Sequence, residues 1–308
     1  MSEPPFLPDD PRSLTILYGK RYATKQWTWN PTLREWLKKS YDGGKHFTVA
    51  EVRAIEGLDD LGACVRSIAA NPRAIIIRGA LLESERQKTW ADPARTVRRL
   101  KNKKADAEPV FREIPRQWLM IDIDDFPLRA CDDLADDPAA AVEHAVTELL
   151  PDCFQDIRAF WQLSSSAGFA PGVLKAHLFY WLTTPVDDAT LKKTLRQCAP
   201  GITDLSPYQG VQPHYVASPI IKGGPDPIPR RFGWIEGMED AVVLPALKPD
   251  TPRTFSAGGG QAHGRAPALE ELGDGEGLSG FHLPLRTATL SHARRCRRFG
   301  GRDDAALI

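Results

Sequence analysis

The 308-residue chain lacks any surplus of charge: 40 Lys and Arg stand against 40 Asp and Glu, a formal net charge of zero. A chain so balanced is not coated for indiscriminate adhesion to nucleic acid or anionic membranes. It also lacks an apolar run of the roughly 18 residues that a membrane-crossing helix needs, which argues against a span. The opening MSEPPFLPDDPRSL has no basic stretch followed by an apolar one, so it does not read as a secretory signal. Cysteine is scarce. The five, at 64, 131, 153, 198 and 296, are odd in number and never spaced as CxxC, which argues against a disulfide framework or a cysteine zinc knuckle. A reducing, cytoplasmic setting is the expectation. What remains is ordinary for a globular chain, with 42% apolar and 26% charged residues and enough length for one large or two modest domains.

The neutrality is not uniform. Residues 73–116 carry twelve Lys and Arg against six acids, a net of +6, whereas residues 122–156 carry eleven acids and only Arg129, a net of −10. Residues 286–302 add six Arg and no acid. Two basic blocks around an acidic one fit a molecule that handles both an anionic ligand and a cation. Solvated helix faces are the plainer account of such runs.

Along the chain, residues 1–30 read as irregular, 31–40 as a short helix entered by Pro31, and Thr48 as the cap of a second helix. LDDLGACVRSIAA (58–70) reads as a helix stopped before Pro72, AIIIRGAL (74–81) as a buried strand, and 93–104 as a helix running into a basic loop. WLMIDIDDF (118–126) is strand-like, and residues 138–150 and 187–198 are helical by their caps and periodicity. RAFWQLSSS (158–166) and KAHLFYWL (175–182) read as an antiparallel hairpin, with further strand-like pieces at 215–223, 232–237 and 241–245. Residues 246–280 turn Pro-, Gly- and Ala-rich and are expected to be a flexible linker. An Arg-rich helical stretch and RDDAALI follow, read as the start of a basic helical domain over 281–308 that continues beyond this sequence.

The chemistry concentrates in MIDIDDF. In a strand, residues i and i+2 share a face, so Asp122 and Asp124 project together while Asp125 points away or begins a turn. Two adjacent carboxylates repel, and a hard divalent cation, Mg²⁺ or Mn²⁺, removes that cost. An acidic strand end at a sheet edge is the alternative. On the hairpin, Lys175 and His177 share a face, and the turn sets Ser164, Ser165 and Ser166 beside them. Hydroxyls, a Lys and a His beside paired acids suit a triphosphate held through metal, although a histidine in an apolar strand is more often a core residue. Asp204, after the 187–198 helix, is either a third carboxylate closing the site or the first residue of an Asx turn.

Taken in order, hhhDhD, then SSS with KxH on a hairpin, then hD about thirty residues on, the chain resembles the archaeo-eukaryotic primase superfamily, and within it the primase-polymerases of plasmids, phages and integrative elements. The stretch SPYQGVQPHYVASPIIKGGPDPIPRR also resembles the segment after the third motif in mobile-element members, and the likeness spans about residues 74–238. The resemblance implies metal binding by Asp122, Asp124 and Asp204, and phosphate contact by His177. It implies an α/β (α+β) primase-polymerase core, a mixed, antiparallel-rich sheet flanked by helices. Two departures stand out: Lys175 occupies a position the family usually gives to a small hydroxyl residue, and the Cys/His zinc element of some relatives is absent.

The activity so implied is a DNA primase or primase-polymerase, making short primers on single-stranded DNA from NTPs or dNTPs by two-metal nucleotidyl transfer. Ser164, Ser165, Ser166, Lys175 and His177 would hold the nucleotide. Arg98, Arg99, Lys101, Lys103, Lys104, Arg230 and Arg231 would track the template, with Trp27 and Trp29 as stacking surfaces. A replicative helicase, fused or separate, is the expected partner. The corresponding organisation is a helical N-terminal part over 1–73, a catalytic core over 74–245, the linker and the C-terminal helical extension. Two rival readings compete with it. One is a non-catalytic origin- or single-strand-binding replication module. The other is a DxD phosphatase of haloacid-dehalogenase type, disfavoured because Asp125 and Phe126 replace the residues that usually follow that motif.

Overall fold

A sheet with one wholly apolar face and one divided face positions the acidic motif. The structure, a computed structural model, describes residues 10–248 apart from 43, 53–54 and 203. The linker expected from 246 and the basic helical domain expected over 281–308 lie, beyond Lys248, outside the described residues. In chain order the elements are β1 (Leu14–Gly19), β2 (Gln26–Asn30), β3 (Glu35–Lys39), β4 (His46–Val52), α1 (Leu58–Ala69), β5 (Ala74–Ile77), β6 (Ala80–Leu81), α2 (Glu83–Ala91) and β7 (Val97–Arg98). Then come β8 (Phe111–Arg112), β9 (Arg116–Pro127), α3 (Pro138–Leu149), β10 (Ala159–Leu163), β11 (Val173–Val186), α4 (Asp188–Cys198), β12 (Ile220–Lys222), β13 (Phe232–Ile235) and β14 (Ala241–Val242). The architecture is mixed α/β with antiparallel-rich sheets.

In the central sheet β13, β10, β11 and β9 lie side by side, all antiparallel, and β14 pairs in parallel with Trp181 and Leu182 of β11. Strand alternation gives this sheet two faces. Leu119, Ile121 and Ile123 of β9 and Leu174, Ala176, Leu178 and Tyr180 of β11 bury one face in a core shared with α3 and α4. On the other face, Trp118, Met120, Phe160, Phe179 and Trp181 pack with Leu14 and Ile16 of β1, Ile76 of β5, and α1. Further along, that second face turns polar, at Asp122, Gln162 and His177. The helices form where sequence capping dictates: Asp137 accepts from the Ala140 N–H and precedes Pro138, and Asp187 accepts from the Thr190 N–H.

The N-terminal third corrects the expected helices. β5, β1, β4 and β7 form a four-stranded sheet, and β12, β2 and β3 a three-stranded one. Residues 31–40 make a hairpin, not a helix: the Asn30 carboxamide oxygen accepts from the Thr32 and Leu33 N–H groups, and Arg34 adopts φ 54°. Trp29 and Trp36 then meet across the strands, edge to face at 5.4 Å. Thr48 lies within β4 rather than capping a helix, and residues 93–104 hold the short β7 and turns. β5 pairs with β1, so the strands on either side of residue 73 share one sheet.

Candidate functional site

At the polar end of the central sheet, His177 of β11 stands directly between Asp122 of β9 and Gln162 of β10 in the strand register. The Gln162 amide donates to the Val216 carbonyl at 2.5 Å, which turns its oxygen toward His177 Nδ1, 3.5 Å away. On its other side, His177 Nε2 lies 3.6 Å from Asp122 Oδ1. Burial pushes the imidazole below the ordinary histidine range, partly opposed by Asp122 and Asp124. Burial also raises the Asp122 carboxyl, opposed by His177 and reinforced by the negative charges of Asp124 and Asp204. The arrangement therefore carries a carboxylate whose charge is poorly compensated by its own neighbours.

One residue further on, β9 bulges. Ile123 pairs with Ala176 and Phe126 with Leu174, so Asp124 and Asp125 together oppose the single residue Lys175. Asp125 takes the left-handed conformation, φ 56°, which aspartate tolerates better than most residues. The bulge brings Asp125 to the same partner as Asp124 instead of turning it away. The Lys175 ammonium bonds Asp124, and lies 2.7 Å from Asp125 Oδ1.

Several of these groups open onto a cavity of about 250 Å³. Its lining joins Asp122, Asp124 and His177 to Ser164, Ser165 and Ser166 of the hairpin turn and to Thr24, Lys25, Ser40 and Tyr41. The serine turn is pinned from several directions. Ser164 N–H donates to the Lys175 carbonyl at 2.9 Å, Trp27 Nε1–H donates to the Ser165 carbonyl at 2.8 Å, and Lys25 donates to Ser166 Oγ. Lys25 is held below the usual lysine range by burial, then by the positive charges of Lys38 and Lys175. The cavity thus has an acidic rim and a wall of hydroxyls and a half-buried cation.

Of the residues singled out from sequence, Asp122, Asp124, His177 and the three serines line this cavity, and Lys175 reaches its edge through Asp124. Asp204 takes the turn reading: it forms an Asx turn with the N–H and hydroxyl of Ser206, at 2.7 and 3.0 Å, and is not among the residues lining the cavity, although its charge bears on Asp122. The expected template track is not assembled here. Arg98, Lys101 and Lys103 pair with Asp106, Glu113 and Glu108, and Arg99 bonds the Val211 carbonyl. None of these, nor Lys104, lines the cavity. Arg231 forks onto Asp226 at 2.6 and 2.7 Å and donates to the Ser164 and Ala167 carbonyls, supporting the serine turn from behind. Arg230 lies 3.4 Å from Asp137. Trp27 stacks on Phe169 at 4.1 Å, and is buried. The residues that sequence reasoning missed are Thr24, Ser40, Tyr41 and Tyr215. Lys25 likewise has no role in the sequence reading. Their one local signal is polarity beside a strand end, which carries no long-range information.

Asp122 and Asp124 are the carboxylates of this cavity that could hold a hard cation. Among the described residues no three His, Cys, Asp or Glu side chains converge as a closed metal centre. The two acids on one strand face match instead a cation that keeps waters and substrate phosphates in its shell. No family, no curated protein and no solved structure matches the chain.

Proposed function

We propose that the chain is a nucleotidyltransferase that extends or initiates short primers on single-stranded DNA, the activity of a DNA primase or primase-polymerase. The observation that carries the reading is the cavity itself, whose lining holds Asp122, Asp124 and His177 together with Ser164–Ser166 and Lys25. A nucleoside triphosphate needs such a combination, with acids for its cations and hydroxyls and cations for its phosphate oxygens. Mg²⁺ or Mn²⁺ bound at Asp122 and Asp124, with Asp204 alongside, would neutralise charge at the reacting phosphate and on the leaving pyrophosphate. His177, kept neutral by burial and oriented by Gln162, offers a nitrogen toward that region without adding a competing positive charge. Lys25 and the serine turn would fix the phosphate tail.

The test incubates the protein with single-stranded template, Mg²⁺ or Mn²⁺ and labelled NTPs or dNTPs. The expected result is metal-dependent oligomers that disappear in Asp122→Ala plus Asp124→Ala. Absence of product, or product undiminished in that variant, refutes the proposal. Template binding that survives chelation with no synthesis at all would identify a non-catalytic single-strand-binding module instead.

A further inference from the structure

We infer that Lys175 is the resident counter-ion of the acidic strand end, a positioning residue that a divalent cation must displace from Asp124 and that thereby sets the affinity for that cation. The inference rests on the metal-dependent reading above and specifies how its site is kept when empty of metal. Three observations carry it. The bulge places two carboxylates opposite one lysine, and their registers leave Lys175 no other cross-strand partner on β9. Its ammonium contacts Asp124 and Asp125 together. The lysine side chain is only 15% exposed, whereas Asp124 and Asp125 are 70% and 67% exposed, so the cation is presented from the protein floor to acids that face solvent.

A cation approaching Asp124 from the cavity therefore meets a carboxylate already paired with an ammonium that it shares with Asp125. Displacing the ammonium frees it on a flexible four-carbon stem. The Lys175 backbone stays fixed through the Ser164 N–H bond, so the freed ammonium remains beside the serine turn, where phosphate oxygens would lie. Lys175 thus offsets the acids before metal enters and is available to the anionic ligand afterwards. Because both acids are largely solvent-facing, the competition is modest, about three- to tenfold in Kd.

The experiment titrates the full chain with Mn²⁺ alone and follows free Mn²⁺ by electron paramagnetic resonance. The Lys175→Met variant is expected to bind about three- to tenfold more tightly than the wild type, and Lys175→Arg to restore the wild-type value. A second readout needs no variant: acetic anhydride labelling, read by mass spectrometry, should show Lys175 protected without metal and more reactive at saturating Mn²⁺. Equal or weaker Mn²⁺ binding by Lys175→Met, or labelling of Lys175 that Mn²⁺ does not change, overturns the inference. The Asp122→Asn plus Asp124→Asn variant separates the two levels. If it loses Mn²⁺ while Lys175→Met behaves as wild type, the counter-ion role fails and the metal site stands. If it keeps Mn²⁺, both fail.

Discussion

Replacing Asp122 with Asn should stabilise the metal-free protein, against the usual expectation for a residue in a functional cavity. Asp122 and Asp124 stand on the same strand face two residues apart, a spacing of about 7 Å at the strand rise. At that separation, two unit charges repel by about 0.6 kcal/mol in water and roughly 2 kcal/mol at an effective dielectric constant of 20. Asp122 is about one-third exposed, with an exposure of 35%, which places the relief near the lower figure, about 1 kcal/mol. The sign with pH follows from the raised carboxyl. A group whose folded pKa lies above its unfolded value near 3.8 favours the folded state when protonated. The penalty in the wild type is therefore full above the folded pKa and gone below the unfolded one. Urea unfolding in the presence of a chelator should show Asp122→Asn more stable by about 1 kcal/mol at pH 7, with the two proteins converging as the pH falls toward 4. Added Mn²⁺ should reverse the order by stabilising the wild type alone. A variant destabilised at pH 7 would refute the reasoning, because it would mean that the contact with His177 outweighs the burial of the carboxylate and the crowding of acids together.

Three other perturbations probe the frame around the site. Arg78 and Asp188 form a buried pair at 2.5 Å, and Arg78 also bonds the Trp118 and Val186 carbonyls, so Asp188→Ala should lower unfolding free energy by about 3–5 kcal/mol; a loss under about 1 kcal/mol would contradict that accounting. Gly233→Ala would place a methyl 2.4 Å from the buried Trp161 ring, so urea unfolding should register a loss of about 1–3 kcal/mol. Lys25→Met should weaken nucleotide binding, measured calorimetrically, about tenfold with an unchanged circular dichroism spectrum. Because burial holds Lys25 below the usual lysine range, wild-type nucleotide binding should also decline at a lower pH than an ordinary lysine would allow.

The parts legible in the sequence are those whose signal is local. α1 shows Leu58, Leu61, Val65 and Ile68 at helical spacing, and it buries all four, with Gly62 and Ala69 beside them. β9 and the β10–β11 hairpin carry unbroken apolar runs, and their polar ends were identified as the chemistry. Residues 31–40 failed for a physical reason: Leu33, Trp36 and Leu37 fit a helical stripe equally well. The choice fell to a turn at Asn30 and a cross-strand tryptophan pair, neither of which periodicity measures. The bulge was equally hidden. Period-2 alternation sent Asp125 to the opposite face, and only the pairing of β9 with β11 shows that Lys175 faces two acids. The far wall of the cavity comes from residues 23–25 and 40–41, more than a hundred positions from the serine turn.

The distribution of charge gains a different meaning once the pairs are known. The +6 of residues 73–116 looked like a surface for a phosphate backbone, yet much of it is used within the fold. Arg78 is buried on Asp188, Arg86 pairs with Glu51 and Glu83, Arg95 with Glu85, and Arg98, Lys101 and Lys103 each with an acid. The cations beside the cavity, Lys25 in its lining and Lys175 on Asp124 at its edge, stand outside that block and carry no signature in a charge run. The acidic block behaves in the opposite way. Its first members, Asp122, Asp124 and Asp125, are balanced by a single lysine, and Asp122 is left with a raised carboxyl. A local excess of negative charge beside two cations is, on the proposed reading, the electrostatic condition for taking up a cation and a polyanion together. Net charge along the sequence does not show which charges pair within the fold; the strand register and the bulge do.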